Sequence, residues 1–204
     1  MSQHSDITQQ TIDYYDEHAD EYVRGTIDVN METFYRPFLK SLQKGQRILD
    51  AGCGSGRDTK AFMDRGFDVA PLDASKEMIL ATQRLTGLAG HQLRLQEVSF
   101  DNEFDGIWAC ASLLHIPLVK LRDVIDRLAL ALRRGGVFYM SFKEGQGERR
   151  DRGGRLFTDF TEDGLKDYLS GQTCLVVEQV WRTEDARITR TDRWINVIAR
   201  RGRE

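Results

Sequence analysis

The stretch ILDAGCGSGRD, residues 48–58, runs from an apolar segment through an acid into three glycines at alternate positions, Gly52, Gly54 and Gly56. A glycine-rich turn between a strand and a helix lets main chain approach a ligand closely, and the helix start beyond it presents unpaired N–H groups. The dinucleotide fingerprint GxGxxG would place its third glycine at position 57, which here is arginine. Asp50, at the end of the apolar run, would sit badly beside a pyrophosphate but would suit a ligand bearing an ammonium group. The spacing therefore argues against NAD and for a ligand with an amino-acid end.

Outward from this loop, short apolar or β-branched runs alternate with helical patterns. RILDA, FDVAPLD, LRLQEV, FDGIWAC and GGVFYMSF read as strands, and their alternation with helices implies βαβ units and a mostly parallel sheet. Between Pro117 and Arg134, Leu118, Leu121, Ile125, Leu128 and Leu132 recur at helical intervals, with Gly135 and Gly136 ending the predicted helix. CLVVEQVW and RWINVIAR predict a hairpin that closes the sheet in antiparallel fashion. The glycine- and base-rich segment KEGQGERRDRGGRLF, residues 143–157, predicts a mobile surface loop. Ahead of the glycine loop, Ile12, Tyr15, Ala19, Tyr22 and Val23 predict two helices broken near Gly25.

The chain has 204 residues, 40% of them hydrophobic, enough for one substantial core and hence one domain, 1–204. Its net charge of -3, with acids and bases interspersed, offers no basic stripe for a nucleic-acid backbone. Cys53, Cys110 and Cys174 are odd in number and far apart, fitting neither a disulfide framework nor a zinc site, so a reducing cytoplasm is expected and no metal. No apolar run has the length of a membrane span, and the first residues lack the parts of a signal peptide.

The string DAGCGSG resembles the first motif of class I S-adenosylmethionine-dependent methyltransferases, with Asp50, Gly52, Gly54 and Gly56 on the matching positions. FDVAPLDAS resembles that family's second strand, FDGIWACASLLHIP its fourth strand and exit loop, and LRRGGVFYMSF its helix end and fifth strand. GCGSGRD is further similar to the GCGxGR form of tellurite-resistance and thiopurine-type methyltransferases, which act on small soluble acceptors. The resemblance implies an α/β, Rossmann-like three-layer sandwich with a mostly parallel seven-stranded sheet and a C-terminal antiparallel hairpin strand. It also implies N-terminal lid helices over 1–44, a cofactor-binding core over 45–204, and S-adenosylmethionine as cofactor.

On that resemblance, Asp73 with Ala74 beside it ends the second strand and accepts ribose hydroxyls; read alone, DASKEM is also a helix cap. Met78 matches a residue that packs on adenine, although a lone methionine is more often core. Glu97 falls near the adenine amino group, and Cys110 and Ala111 where main chain contacts the methionine part. Arg57 at a helix start works against the helix dipole, so it calls for a ligand carboxylate or an acidic neighbour. Tyr14, Tyr15 and Tyr22 belong to the implied lid, and Tyr22 is placed with the cofactor. The candidate catalytic residues are His115, Tyr15 and Arg155, with Lys143 and Glu148 available to an acceptor. Each also has a plain reading as packing or solvated charge. The expected partner is a small-molecule acceptor met by a monomer or homodimer. An RNA or protein methyltransferase, a module that binds the cofactor without chemistry, and a NAD-dependent oxidoreductase are the competing functions.

Overall fold

The computed structural model describes residues 3–171 and 174–202. Three helices come first: α1 (Gln3–Glu17), α2 (Ala19–Thr26) and α3 (Glu32–Leu39). The sequence predicts two helices with a break at Gly25, but Gly25 lies inside α2. The chain turns instead at His18, whose ψ of 22° is not helical, and again before Glu32, whose N–H donates to the Asn30 side chain at 2.9 Å.

From residue 47 onward strands and helices alternate: β1 (Arg47–Ala51), α4 (Arg57–Asp64), β2 (Asp68–Asp73), α5 (Lys76–Thr86), β3 (His91–Gln92), β4 (Phe104–Ala109), α6 (Leu118–Ala131) and β5 (Leu132–Lys143). A small hairpin, β6 (Gly147–Arg150) and β7 (Leu156–Asp159), precedes α7 (Glu162–Ser170), β8 (Leu175–Glu184) and β9 (Arg193–Arg201). The main sheet has seven strands in the order β3-β2-β1-β4-β5-β9-β8; β1 to β5 pair in parallel, and β9 runs antiparallel to both β5 and β8. The expected sandwich with its antiparallel closing hairpin is thus present.

Side chains alternate across the sheet, which separates two apolar layers. Ile48, Val69, Trp108, Val137, Tyr139 and Ile198 pack with Phe34, Phe38 and Phe62 of α3 and α4. Their neighbours Leu49, Leu72, Ile107, Phe138 and Met140 join a core with Leu121, Ile125 and Leu128 of α6 and with Leu165 of α7. Pro71 is tolerated in β2 because β3 pairs with Leu72 and Asp73 only, leaving the strand beside Pro71 without an outer partner.

Three sequence expectations need correction. LRLQEV is not a strand: β3 ends at Gln92, and Leu95–Glu97 forms a 3-10 turn. Helix α6 stops at Ala131, where the amides of Asn102 and Glu103 take up the carbonyls of Leu130 and Ala131, so Gly135 and Gly136 fall within β5. Residues 143–157 are not a featureless loop. β6 pairs with β7 because Leu156 and Phe157 bury into the core while Arg149 reaches across to Asp159 at 2.5 Å and lies over the Phe157 ring. Among the described residues, no helix is long and apolar enough to cross a membrane.

Candidate active site

The strand order reverses between β1 and β4: the chain leaves β1 toward β2 and β3, then returns to the other side of β1. In open α/β sheets the crevice at such a point, beyond the carboxyl ends of the strands, receives ligands. The glycine loop lies there. Gly52 has φ of +95°, and a Cβ on it would lie 2.4 Å from Ser112 Cβ, so only glycine fits. Gly54 has φ of +53°, and a Cβ on it would lie 3.1 Å from the Tyr22 ring. Gly56 starts α4 against Thr82 of α5.

The amides of this loop are already engaged. Gly52 and Cys53 donate to the Leu72 carbonyl at 2.7 and 2.9 Å, and Gly54 donates to Asp73 Oδ2 at 3.0 Å. The loop is therefore tied to the end of β2 and is not a nest of free N–H groups for phosphate. Asp73 Oδ1 accepts a second amide, from Ser75 at 2.9 Å. Both carboxylate oxygens are fixed in direction and each retains acceptor capacity. Burial pushes the Asp73 pKa up to about 6, against the pull of its amide donors.

A cleft of about 720 Å³ opens over this carboxylate. Its walls include Gly52, Gly54, Ala74 and Met78, as expected, together with Leu72 and Leu95. Glu97 does not join them. It is exposed, and its carboxylate accepts the Arg94 amide at 3.1 Å across the 3-10 turn, while Arg94, Leu95 and Gln96 face the cleft. A turn of three residues per repeat moves the side chain that faces the cleft by one position, which a strand reading of LRLQEV could not show.

Asp50 lines neither this cleft nor its neighbour. It is buried beneath the loop and accepts the Thr59 hydroxyl at 2.6 Å, and burial with the nearby Asp58 charge raises its pKa to about 8. Arg57 also lies outside the first cleft. It grips Asp58 through Nε at 2.6 Å and Nη2 at 2.9 Å. Asp58 further accepts Tyr35 Oη–H at 2.6 Å and Trp108 Nε1–H at 2.8 Å. Burial works to raise the Asp58 pKa, but Arg57 and these donors hold it below its ordinary value. The acidic neighbour that Arg57 required is thus the next residue in the chain.

The second cavity is larger, about 1480 Å³, and Arg57 stands in its wall. The two compartments meet along Tyr15, Tyr22, Cys110, Ala111 and His115, which line both. Ala111 adopts a φ of +53°, a left-handed conformation that is strained for a residue with a Cβ, and its N–H donates to Ser141 Oγ at 2.9 Å.

The three candidate catalytic residues come together at this junction. His115 Nδ1 lies 2.6 Å from the Leu156 carbonyl, which can only accept, so Nδ1 carries the proton. Nε2 is then the acceptor of Tyr15 Oη–H at 2.8 Å. Arg155 Nη1 donates to the same Tyr15 oxygen at 3.3 Å. Burial lowers the His115 pKa to about 4 and raises that of Tyr15, the latter against the Arg155 charge. Burial likewise pushes the Cys110 thiol up to about 12, so it is no nucleophile at neutral pH. Of the other acceptor-side candidates, Lys143 lines the large cavity and pairs with Asp192 at 2.8 Å, whereas Glu148 does not line it and accepts the Leu118 amide at the start of α6. Arg187 and Asp185, in the β8–β9 connection, line the cavity without having been singled out in the sequence, where no motif marks them.

Residues 48–136 match the methyltransferase domain family. The fold superimposes on that of a solved Burkholderia thailandensis enzyme, 1,6-didemethyltoxoflavin-N1-methyltransferase with bound 1,6-didemethyltoxoflavin and S-adenosylhomocysteine, over 99% of this chain and 92% of that one, with TM-score 0.81 and 21% identity. The fold is the Rossmann-like methyltransferase fold. The methyltransferase fold also extends to the cyclase SpnF, with TM-score 0.73, 16% identity and 96% of each chain covered. Among curated relatives, the malonyl-acyl-carrier-protein O-methyltransferase of Enterobacter lignolyticus is 34% identical over 94 residues, 45% of this chain and 36% of that protein. The chain spans about two fifths of the length of the curated relatives it matches.

Proposed function

We propose that this chain transfers a methyl group from S-adenosylmethionine to a small polar acceptor by direct displacement. The observation that carries the reading is the pair of compartments meeting at Tyr15, Tyr22, Cys110, Ala111 and His115, one built around a carboxylate and apolar walls, the other around aromatic and charged side chains. The residues present fit the cofactor. Asp73 has acceptor capacity for both hydroxyls of a ribose, and Leu72, Met78 and Leu95 form an apolar slot for a purine. Gly52 and Gly54 leave main chain open toward the amino-acid end, with Cys110 and Ala111 opposite. When bound, the cofactor supplies an activated methyl on its sulfonium.

The protein's share of the work is then alignment and exclusion of water. Tyr15 and Tyr22 of α1 and α2 close the junction from above, and Ala111 from below. Where an acceptor must lose a proton, Tyr15 Oη takes it while passing its own to His115 Nε2, with Leu156 O holding the opposite ring N–H. His115 is a weak base in this environment, so the relay suits an acceptor whose own proton is acidic.

Calorimetric titration with S-adenosylmethionine, S-adenosylhomocysteine and NAD tests the reading: the first two are expected to bind, and tight binding of NAD would overturn it. Unchanged S-adenosylhomocysteine affinity in Asp73→Ala would remove the ribose assignment. A second reading, binding without methyl transfer, is favoured by the shared fold of the cyclase SpnF. It predicts cofactor binding with no S-adenosylhomocysteine formed from any acceptor.

A further inference from the structure

The large cavity is lined by three arginines whose forks are held in the same way. Arg57 uses Nε and Nη2 on Asp58, Arg155 uses Nε and Nη2 on Asp151 at 2.9 and 2.6 Å, and Arg187 uses Nε and Nη2 on Asp185 at 2.8 and 2.6 Å. One edge of each guanidinium is clamped, which fixes the plane and leaves Nη1 over. Arg155 Nη1 goes to Tyr15; Arg57 Nη1 reaches only the Thr26 carbonyl at 3.5 Å, and Arg187 Nη1 has no partner among the described residues. Ser141 Oγ accepts the Ala111 amide, and its hydroxyl faces Cys110 Sγ at 4.0 Å and the Tyr139 hydroxyl. The cavity thus offers oriented hydrogen-bond donors already immobilised before a ligand arrives.

Each arginine has its charge balanced by its own aspartate, so what these groups offer a ligand is directed donors. Asp185 is held by Arg187 and by Trp194 Nε1, Asp192 by Lys143, and Glu21 and Glu184 are exposed. Aromatic side chains form much of the remaining wall, beside Val29, Met31 and Leu114. Tyr14, Tyr22, Phe157 and Trp194 line the space, and Tyr139 stacks on Trp108 with centroids 3.8 Å apart. Flat rings flanked by clamped guanidinium groups recognise flat, delocalised anions, since stacking and bidentate or end-on donation act together.

We propose that the acceptor is a small planar aromatic molecule bearing a carboxylate or comparable oxyanion, and that Arg187 and Arg57 read its oxygens. This rests on the methyl-transfer reading for its purpose but not for its geometry. Arg57 is bound into the core through Asp58, so its removal strands a buried carboxylate. Arg187 is the cleaner probe, because its partner Asp185 keeps the main-chain amide of residue 187 and Trp194 Nε1–H as donors when the guanidinium is removed.

The test is a ligand-observed NMR titration of the S-adenosylhomocysteine-loaded protein with 2-hydroxybenzoate, benzylamine and cyclohexanecarboxylate. The aromatic acid is expected to bind at least about tenfold more tightly than either of the others. Arg187→Gln is expected to abolish that preference while S-adenosylhomocysteine still binds, and Arg187→Lys to restore it in part, because the charge returns without the fork. The proposal is overturned if 2-hydroxybenzoate does not bind, if benzylamine or the saturated acid binds as well, or if Arg187→Gln leaves the preference intact. The same titration on unloaded protein separates the two readings. Selective anion binding without any S-adenosylhomocysteine affinity leaves the cavity assignment standing and sinks methyl transfer; cofactor binding without anion selectivity does the reverse.

Discussion

Asp73 holds its carboxylate between two main-chain donors in a site dry enough to raise its pKa to about 6. Two consequences follow in opposite directions. For binding, the ionised form is the one with full acceptor capacity, so S-adenosylhomocysteine affinity is expected to be flat above pH 7 and to fall by up to about tenfold per unit below pH 6, measured by calorimetry. For stability, the folded chain keeps a proton between the ordinary carboxylate value and about 6 that the unfolded chain releases. Asp73 therefore favours the fold below the ordinary value and loses that contribution as pH rises through about 6. Asp73→Asn sets an NH2 group against one of the two amide donors, so it should lower the melting temperature, less at pH 8 than at pH 5, while weakening cofactor binding. Tyr15→Phe isolates the other half of the site: it removes the donor to His115 Nε2 and is expected to lower the single-turnover rate of methyl transfer by about 10²-fold with cofactor affinity unchanged. An unchanged single-turnover rate would remove Tyr15 from the proton path. At this scale much was readable in advance. Gly52, Gly54, Asp73, Met78, Tyr15 and His115 were marked by spacing or by motif, and they line the cavities, whereas Gly56 packs on Thr82. Arg187 was not, because its role comes from a loop brought to the site by strand pairing, and Glu97 stood one residue from the side chain that faces the cleft.

Among the elements, α1 is the one whose docking is mostly polar. Asp16 Oδ1 accepts the Ser75 hydroxyl at 2.5 Å and the Glu77 amide at 3.1 Å at the start of α5, two residues beyond Asp73. Farther along, Thr11 Oγ1 accepts the Leu156 amide at 3.2 Å, and Gln10 accepts Arg150 at 2.9 Å from the β6–β7 hairpin. Asp16→Ala removes an N-terminal cap supplied from outside its own helix, and should cost about 1 kcal/mol in chemical denaturation. Hydrogen exchange in α1 is expected to speed up while that in β4 does not; equal protection in α1 would show that the cap does not hold it. The small hairpin escaped sequence reading for a related reason. Its strand GERR has no apolar face of its own and is held by Arg149 on Asp159 and Phe157, a tertiary arrangement with no local signature. Strands β1, β2, β4 and β5, by contrast, are apolar runs buried on both faces, and such runs announce themselves.

Over the whole molecule, the aromatic cluster of Tyr35, Phe38, Phe62, Trp108 and Tyr139 anchors α3 and α4 to one face of the sheet and reaches Asp58 through two hydrogen bonds. Phe62 is fully buried, so Phe62→Ala should cost about 3–5 kcal/mol, read as a shift in denaturation midpoint without a change in slope. The shared wall of the two cavities has a kinetic meaning. Tyr15 of α1 and Tyr22 of α2 border both compartments, so anything entering or leaving either one must displace the same short stretch of chain. On the methyl-transfer proposal, neither product exits independently of the other's cover, and the step expected to set the turnover rate is a movement through solvent instead of a bond change. Added sucrose should slow kcat in proportion to viscosity, and replacing the transferred methyl hydrogens with deuterium should leave it unaltered.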